Sequence, residues 1–219
     1  MAANTTHREG ENCGKIQGVK IWHQYPLEMA DLGDLFDTDK SEIMPSGVIF
    51  LAETTGFARL RKQNSLVVAL NKQLSDLSRV PNLEIGINIS PKLDPEITNE
   101  LENLLVDAND IQTILIRFPN ESDFHKPDSK SNRPVGHKRH STYLQLNKDV
   151  PTRRLETLFK VSQENGITGI AMFAEQLSRG QIALARKFSL EIMITEILNE
   201  RHESSVLASA VDHGVVIAS

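Results

Sequence analysis

The chain has 219 residues, of which 39% are hydrophobic and 24% are charged, as is usual for a globular protein. Its single cysteine, Cys13, excludes a disulfide framework and a cysteine-based zinc site. The net charge of −5, from 24 Lys and Arg against 29 Asp and Glu, argues against a protein that binds nucleic acid with its whole surface. No apolar run approaches the roughly 20 residues of a membrane span. We therefore expect a cytoplasmic protein that has no membrane partner.

Strands and helices are predicted to alternate along most of the chain. Residues 1–17 lack a periodic apolar pattern and are predicted to be a disordered leader. The remaining chain, residues 18–219, is expected to form one domain. Apolar residues recur at helical spacing towards Leu77 and again in 96–108. Between these two segments, Leu83–Ile89 has an apolar residue at every second position, which is typical of a strand.

This alternation favours a barrel. Short strands separated by helices imply a parallel sheet, and counting gives six to eight strands, enough for a β/α barrel or for an open doubly wound sheet. No glycine-rich phosphate loop follows the first strand, which weakens the nucleotide-binding open sheet. The predicted fold is therefore an α/β protein with a TIM-type (β/α) barrel, degenerate or slightly truncated.

A basic loop insertion is predicted at about 119–142, where Pro, Ser and Asn replace the alternating pattern. Loops of this length inside a compact domain are usually functional or disordered. A solvated insertion is one interpretation, and a surface for an acidic protein face or for nucleic acid is the other. Nucleic acid is less favoured, because only Phe124 could stack on a base. The candidate partner-binding residues are the basic ones: Lys126, Lys130, Arg133, Lys138 and Arg139.

The segment 43–57, read as IMPSGVIFLAETTGF, resembles a stretch of bacterial EAL domains, the cyclic-di-GMP phosphodiesterases. Further along, 86–91 looks like the "V-N-x-S" strand of that family, and 119–122 lies where its "E-I-T-E-S" strand ends. This resemblance covers roughly residues 18–219. It implies a barrel in which carboxylates at the strand ends hold two divalent cations against a phosphodiester.

The resemblance implies only a partial metal site. The first Glu of "E-I-T-E" falls on Phe118, and the paired aspartates fall on Phe173 and Ala174, none of which has a carboxylate to offer a cation. We therefore expect no catalytic residues, no bound metal and no cofactor. The candidates for a relic metal or nucleotide site are Glu28, Asn88, Glu121 and Glu175. For Asn88, a strand-end residue that satisfies loop backbone groups is the alternative interpretation.

A weaker resemblance joins residues 169–218 to the end of glycerophosphodiester phosphodiesterases, another barrel family. Residues 87–92 are similar to the "I-E-I-K" strand of those enzymes. Their "H-R-G" start has only His7 and Arg8 as counterparts, in the polar leader, and His23 stands alone. This comparison also implies a barrel that lacks the catalytic set of its family.

Three functions remain open at this point. The first is a catalytically inactive EAL-like barrel that regulates transcription, RNA turnover or motility by binding a protein, through the basic insertion or the acidic segment 28–42. The second is a cyclic-di-GMP sensor that does not cleave the nucleotide. The third is an active phosphodiesterase of either family, with Mg²⁺ held by the four relic candidates. An open last strand would also favour a homodimer.

Overall fold

The computed structural model describes residues 20–27, 46–53, 59–108, 110–125, 140–146, 150–173, 178–197 and 212–217. The predicted leader, residues 1–17, lies outside these ranges. In this part of the chain, eight parallel strands pair in sequence order and form a closed barrel. The TIM-type barrel is thus confirmed.

Strands and helices alternate along much of the described chain, as expected. They are β1 Lys20–Pro26, β2 Gly47–Ala52, β3 Glu84–Ile89, β4 Gln112–Arg117, β5 His140–Gln145, β6 Gly169–Phe173, β7 Glu191–Ile197 and β8 His213–Ile217. The described helices are α1 Arg59–Leu77, α2 Pro95–Asp107, α3 Thr152–Glu164 and α4 Arg179–Lys187, and a 3₁₀ turn covers Glu121–Phe124. None of these helices is long and apolar enough to cross a membrane.

The barrel is complete, because β8 pairs with both β1 and β7. The truncation suggested by the sequence is therefore not present. A closed barrel has no unpaired edge strand, so the edge that suggested a homodimer is also absent.

Local signals in the sequence fix the helix ends. Pro95 opens α2, and the Asp94 side chain accepts a hydrogen bond from the Glu96 backbone N–H at 2.9 Å, a usual N-cap arrangement. The α3 helix ends before Gly166, whose φ of 71° is a conformation that glycine adopts without strain.

The basic insertion is shorter than predicted. Its first residues form the 3₁₀ turn Glu121–Phe124, and residues 140–142 belong to β5, where His140 pairs with Thr113 of β4. The β4–β5 ladder therefore starts at His140, and β5 begins three residues before its first apolar residue, Tyr143. Residues 126–139, with all five candidate partner-binding residues, lie outside the described ranges.

The core has two outer clusters and one inner cluster. Outward residues of β2 and β3 pack against α1 and α2, and those of β5, β6 and β7 pack against α3 and α4. The inner cluster fills the barrel and includes Trp22, Ile49, Tyr143, Ala171 and Met193. Because side chains alternate along a strand, this assignment shows which residues of every strand face the inside.

Candidate functional site

The candidate site lies at the C-terminal end of the barrel, where TIM-barrel enzymes carry their active sites. Three inner-cluster side chains, Trp22, Tyr143 and Met193, come from β1, β5 and β7. In each of these strands, the residue two positions further along also points inward, and it is polar. The inward residue near the end of β3 is polar as well. This mouth layer consists of Gln24, Asn88, Gln145 and Thr195.

Hydrogen bonds join the mouth layer into two pairs, each across one intervening strand. Asn88 Nδ2 donates to Gln24 Oε1 at 3.4 Å. Thr195 Oγ1 lies 3.3 Å from Gln145 Oε1 and also 3.3 Å from the backbone oxygen of Met172. Gln24, Gln145 and Thr195 are all buried. Among the described residues, this layer of the barrel interior therefore offers amides and a hydroxyl, which are polar but uncharged.

One group of the mouth layer has no partner within the described ranges. Gln145 is only 1% exposed, yet its Nε2 makes no hydrogen bond there. Leaving a buried donor unsatisfied costs about 1–3 kcal/mol. The Gln145 amide therefore carries a buried donor for which the described residues supply no acceptor.

The mouth layer does not fit a divalent cation by itself. Mg²⁺ and Ca²⁺ sites are built mainly around carboxylates, whereas these four residues supply only amide and hydroxyl oxygens. Nowhere in the described ranges do three or more His, Cys, Asp or Glu residues come together to hold a metal ion. Glu53, the first residue after β2, is exposed.

The structure describes two of the four relic candidates. Asn88 lies within β3, and its Nδ2 donates to the Gln24 side chain. Glu121 is exposed and lies in the 3₁₀ turn after β4. Glu28 and Glu175 lie outside the described ranges.

Sequence reasoning did not select Gln24, Gln145 and Thr195. The two pairs of the mouth layer join residues 64 and 50 positions apart, so no short motif contains them. A polar residue at an inward position near the end of a strand could have indicated them. This pattern can be recognised only after the structure shows which face of the strand points inward.

A second polar cluster occupies the opposite, N-terminal end of the barrel. Trp22 Nε1 donates to Glu84 Oε2 at 2.8 Å, and Lys20 forms an ion pair with the same carboxylate. Glu191 accepts hydrogen bonds from the Tyr143 hydroxyl and from His213 Nε2, the latter at 2.9 Å. The hydrogen bond from His213 lowers the pKa of Glu191, while burial and Glu191 raise the pKa of Tyr143.

A buried ion pair fixes the turn after β4. Arg117 donates from Nη1 and Nη2 to the Asp123 carboxylate at 2.7 and 2.9 Å, and the Asn120 backbone N–H donates to the same carboxylate at 2.8 Å. Glu102 of α2 lies 3.5 Å from Arg117 Nε. Burial acts to lower the pKa of Arg117, but Asp123 and Glu102 outweigh it and raise the pKa.

Comparison with known proteins supports the fold. A structure from Agrobacterium tumefaciens, provisionally named a glycerophosphoryl diester phosphodiesterase, superposes with a TM-score of 0.60 and 12% identity, over 90% of this chain and 93% of that one. A glycerophosphodiester phosphodiesterase from the same organism gives a TM-score of 0.50 and 13% identity, over 90% and 96%. Both agree with the weaker resemblance, and neither supports the resemblance to EAL domains. No protein-family model matches the chain. A search of curated proteins also found no match.

Proposed function

We propose that the chain binds a phosphodiester at the mouth layer without hydrolysing it by a metal-dependent reaction. The observation that carries this proposal is the buried Nε2 of Gln145, which lies near Thr195 and has no hydrogen-bond partner among the described residues. A phosphodiester offers unesterified oxygens that accept such a hydrogen bond. The two structural neighbours, both named for phosphodiester cleavage, suggest this ligand class, and the amides of the mouth layer suggest binding rather than metal-assisted cleavage.

Bis(4-nitrophenyl) phosphate tests binding and cleavage together. We expect calorimetry to show binding in the presence of a chelator, and we expect no release of 4-nitrophenolate when Mg²⁺ or Ca²⁺ replaces the chelator. Gln145→Met should weaken binding, because methionine fills a similar volume but donates no hydrogen bond. Absence of binding would overturn the proposal, and metal-dependent release would replace it with an enzymatic function.

The enzymatic alternative is a phosphodiesterase that uses Mg²⁺. It is favoured by the names of the neighbours and by Glu28 and Glu175, which follow β1 and β6 closely in sequence. With Asn88 and Glu121, they would form the metal site at the C-terminal end of the barrel. In that case Glu28→Gln and Glu175→Gln would each abolish a release of 4-nitrophenolate that a chelator also abolishes.

A cyclic-di-GMP sensor, as the EAL resemblance implies, is a special case of the binding proposal, because this nucleotide contains two phosphodiester groups. A thermal-shift titration with cyclic-di-GMP, with and without Mg²⁺, is the direct test. Bound ligand raises the free energy of unfolding by about 2.7 kcal/mol at a hundred times Kd. A flat titration would exclude this ligand while leaving other phosphodiesters open.

A regulatory role in the cytoplasm, through a protein bound by the basic insertion, is a further alternative. The supporting observation is the Arg117–Asp123 pair, which fixes the turn from which the insertion starts. If this role is correct, replacing Lys138 and Arg139 with glutamine should abolish binding of an acidic partner protein and leave phosphodiester binding unchanged.

A further inference from the structure

We infer that the mouth layer holds a phosphodiester from two opposite sides, and that Gln24 is a second binding residue that matches Gln145. The inference rests on the proposed function and adds to it how the ligand is held. It is argued from a two-fold repeat in the barrel, which the register of the strands and the contacts of their inward side chains show.

The repeat begins with a ring, a glycine and a carboxylate on three successive strands. Trp22 of β1 pairs in register with Gly47 of β2, which pairs with Glu84 of β3. Trp22 Nε1 donates to the Glu84 carboxylate at 2.8 Å, across the strand of the glycine. A Cβ on Gly47 would lie 2.3 Å from the Glu84 backbone oxygen and 2.6 Å from Trp22 Cδ1. The ring therefore fills the space of the missing side chain.

The same arrangement recurs four strands further on. Tyr143 of β5 pairs in register with Gly169 of β6, which pairs with Glu191 of β7. The Tyr143 hydroxyl donates to the Glu191 carboxylate. A Cβ on Gly169 would lie 2.5 Å from the Glu191 backbone oxygen and 2.7 Å from Tyr143 Cε1. Because the closed barrel has eight strands, a shift of four strands is half a turn about its axis, so the two units face each other.

The mouth layer continues this repeat towards the C-terminal end of the barrel. Gln24 and Gln145 each lie two residues after the ring of their unit, and Asn88 and Thr195 each lie four residues after its carboxylate. In both pairs the glutamine Oε1 lies near the partner, 3.4 Å from Asn88 Nδ2 and 3.3 Å from Thr195 Oγ1. Half a turn about the barrel axis therefore exchanges Gln24 with Gln145.

The two glutamines face one space from opposite strands. In a TIM barrel, inward side chains of alternate strands form layers that fill the interior, and β1 and β5 are opposite members of such a layer. A phosphodiester has two equivalent unesterified oxygens, which share its single negative charge. Gln145 donates to one of them in the proposed function, and the repeat supplies Gln24 as the donor for the other. The layer also reaches solvent, because Asn88 is partly exposed.

A phosphorothioate tests whether two oxygens are held. Bis(4-nitrophenyl) phosphorothioate keeps one negative charge and replaces one unesterified oxygen with sulphur, which is a weaker hydrogen-bond acceptor. Calorimetry on the full chain, with a chelator, compares it with bis(4-nitrophenyl) phosphate. If both oxygens accept hydrogen bonds, the sulphur must occupy one of the two positions, so we expect the phosphorothioate to bind about tenfold more weakly. If only one oxygen were held, the ligand would turn its sulphur away and bind as tightly as the diester.

Variants assign the second position to Gln24. Gln24→Met should weaken diester binding by about tenfold, as Gln145→Met should, because methionine has a similar volume but donates no hydrogen bond. In either variant the phosphorothioate should bind as tightly as the diester, since the sulphur can face the side without a donor. Gln112→Met is the matched control. Gln112 is exposed at the start of β4, at the opposite end of the barrel, so this variant should keep the wild-type preference for the diester.

The outcomes separate the inference from the proposed function. If wild-type protein binds neither ligand, the proposed function fails and the inference fails with it. If wild-type protein binds both ligands equally tightly, only the inference is wrong, because one oxygen is then sufficient. If Gln24→Met binds the diester like wild type or keeps the preference for it, Gln24 is not the second donor. The comparison on wild-type protein needs no variant, so a variant that fails to fold leaves it decisive.

Discussion

At the scale of single residues, Glu191 is the group whose ionisation should couple most directly to stability. Hydrogen bonds from His213 Nε2 and the Tyr143 hydroxyl stabilise its carboxylate and lower its pKa below the ordinary value of 4.5. A carboxylate with a lowered pKa in the folded state stabilises the protein above its unfolded pKa, and this contribution is lost as the pH falls through the folded pKa. Glu191→Gln should therefore flatten the acid side of the stability profile.

The measurement is the free energy of unfolding in urea at several pH values from about 6 to 3. Because the Glu191 side chain is 43% exposed, solvent screening limits the difference at neutral pH to about 1 kcal/mol or less. Glu100→Gln is the matched control, since Glu100 is an exposed glutamate on the surface of α2. If the free energy of unfolding decreased equally steeply between pH 6 and 3 for wild type and Glu191→Gln, the ionisation of Glu191 would not contribute to stability.

At the scale of elements, the turn after β4 depends on one buried carboxylate. Asp123 is 1% exposed, neutralises Arg117 and accepts the Asn120 backbone N–H. Asp123→Asn preserves the shape of the side chain but leaves the buried guanidinium with the more distant Glu102 as its one counter-charge among the described residues. Removing one partner of a buried ion pair costs about 3–5 kcal/mol. We therefore expect urea unfolding to show a free energy of unfolding that is lower by an amount near the lower end of that range.

The surface pair of Lys187 and Glu156 provides the comparison for this prediction. Both side chains are largely exposed, with their nitrogen and oxygen 2.9 Å apart. Lys187→Gln should change the free energy of unfolding by less than about 1 kcal/mol, as is typical of exposed pairs. If Asp123→Asn cost as little as Lys187→Gln, the buried pair would not be what holds the turn.

The same scale shows what the sequence could predict. In β3, the alternation of Ile85, Ile87 and Ile89 predicted the strand correctly, but these side chains pack outward against the helices. The barrel interior receives Glu84, Gly86 and Asn88 instead. Periodicity shows that a strand has two different faces and does not show which face is inside. Gln24, Gln145 and Thr195 were missed for this reason, because closure of the barrel, and not local spacing, brings them together with Asn88 in the mouth layer.

At the scale of the whole molecule, large aromatic rings fill the barrel interior by packing against glycines of neighbouring strands. A Cβ on Gly47 would lie 2.6 Å from Trp22 Cδ1, and a Cβ on Gly169 would lie 2.7 Å from Tyr143 Cε1. Each glycine thus leaves space for a ring from a neighbouring strand. These rings separate the neutral mouth layer from the charged cluster at the N-terminal end, so packing here also keeps the two polar regions apart.

Gly169→Ala tests this packing. The added methyl group would also lie 2.5 Å from the Glu191 backbone oxygen, so either the Tyr143 ring or the β6–β7 ladder must shift, and overpacking of this kind costs about 1–3 kcal/mol. Gly180→Ala is the matched control: Gly180 is exposed in α4, and the nearest atom to its added Cβ lies 4.0 Å away. There alanine should stabilise by about 0.5–1 kcal/mol through its higher helix propensity. The packing argument is supported if Gly169→Ala lowers the free energy of unfolding in urea and Gly180→Ala raises it. A neutral Gly169→Ala would mean that the ring has room to move, and the separation of the two polar regions would then need another explanation.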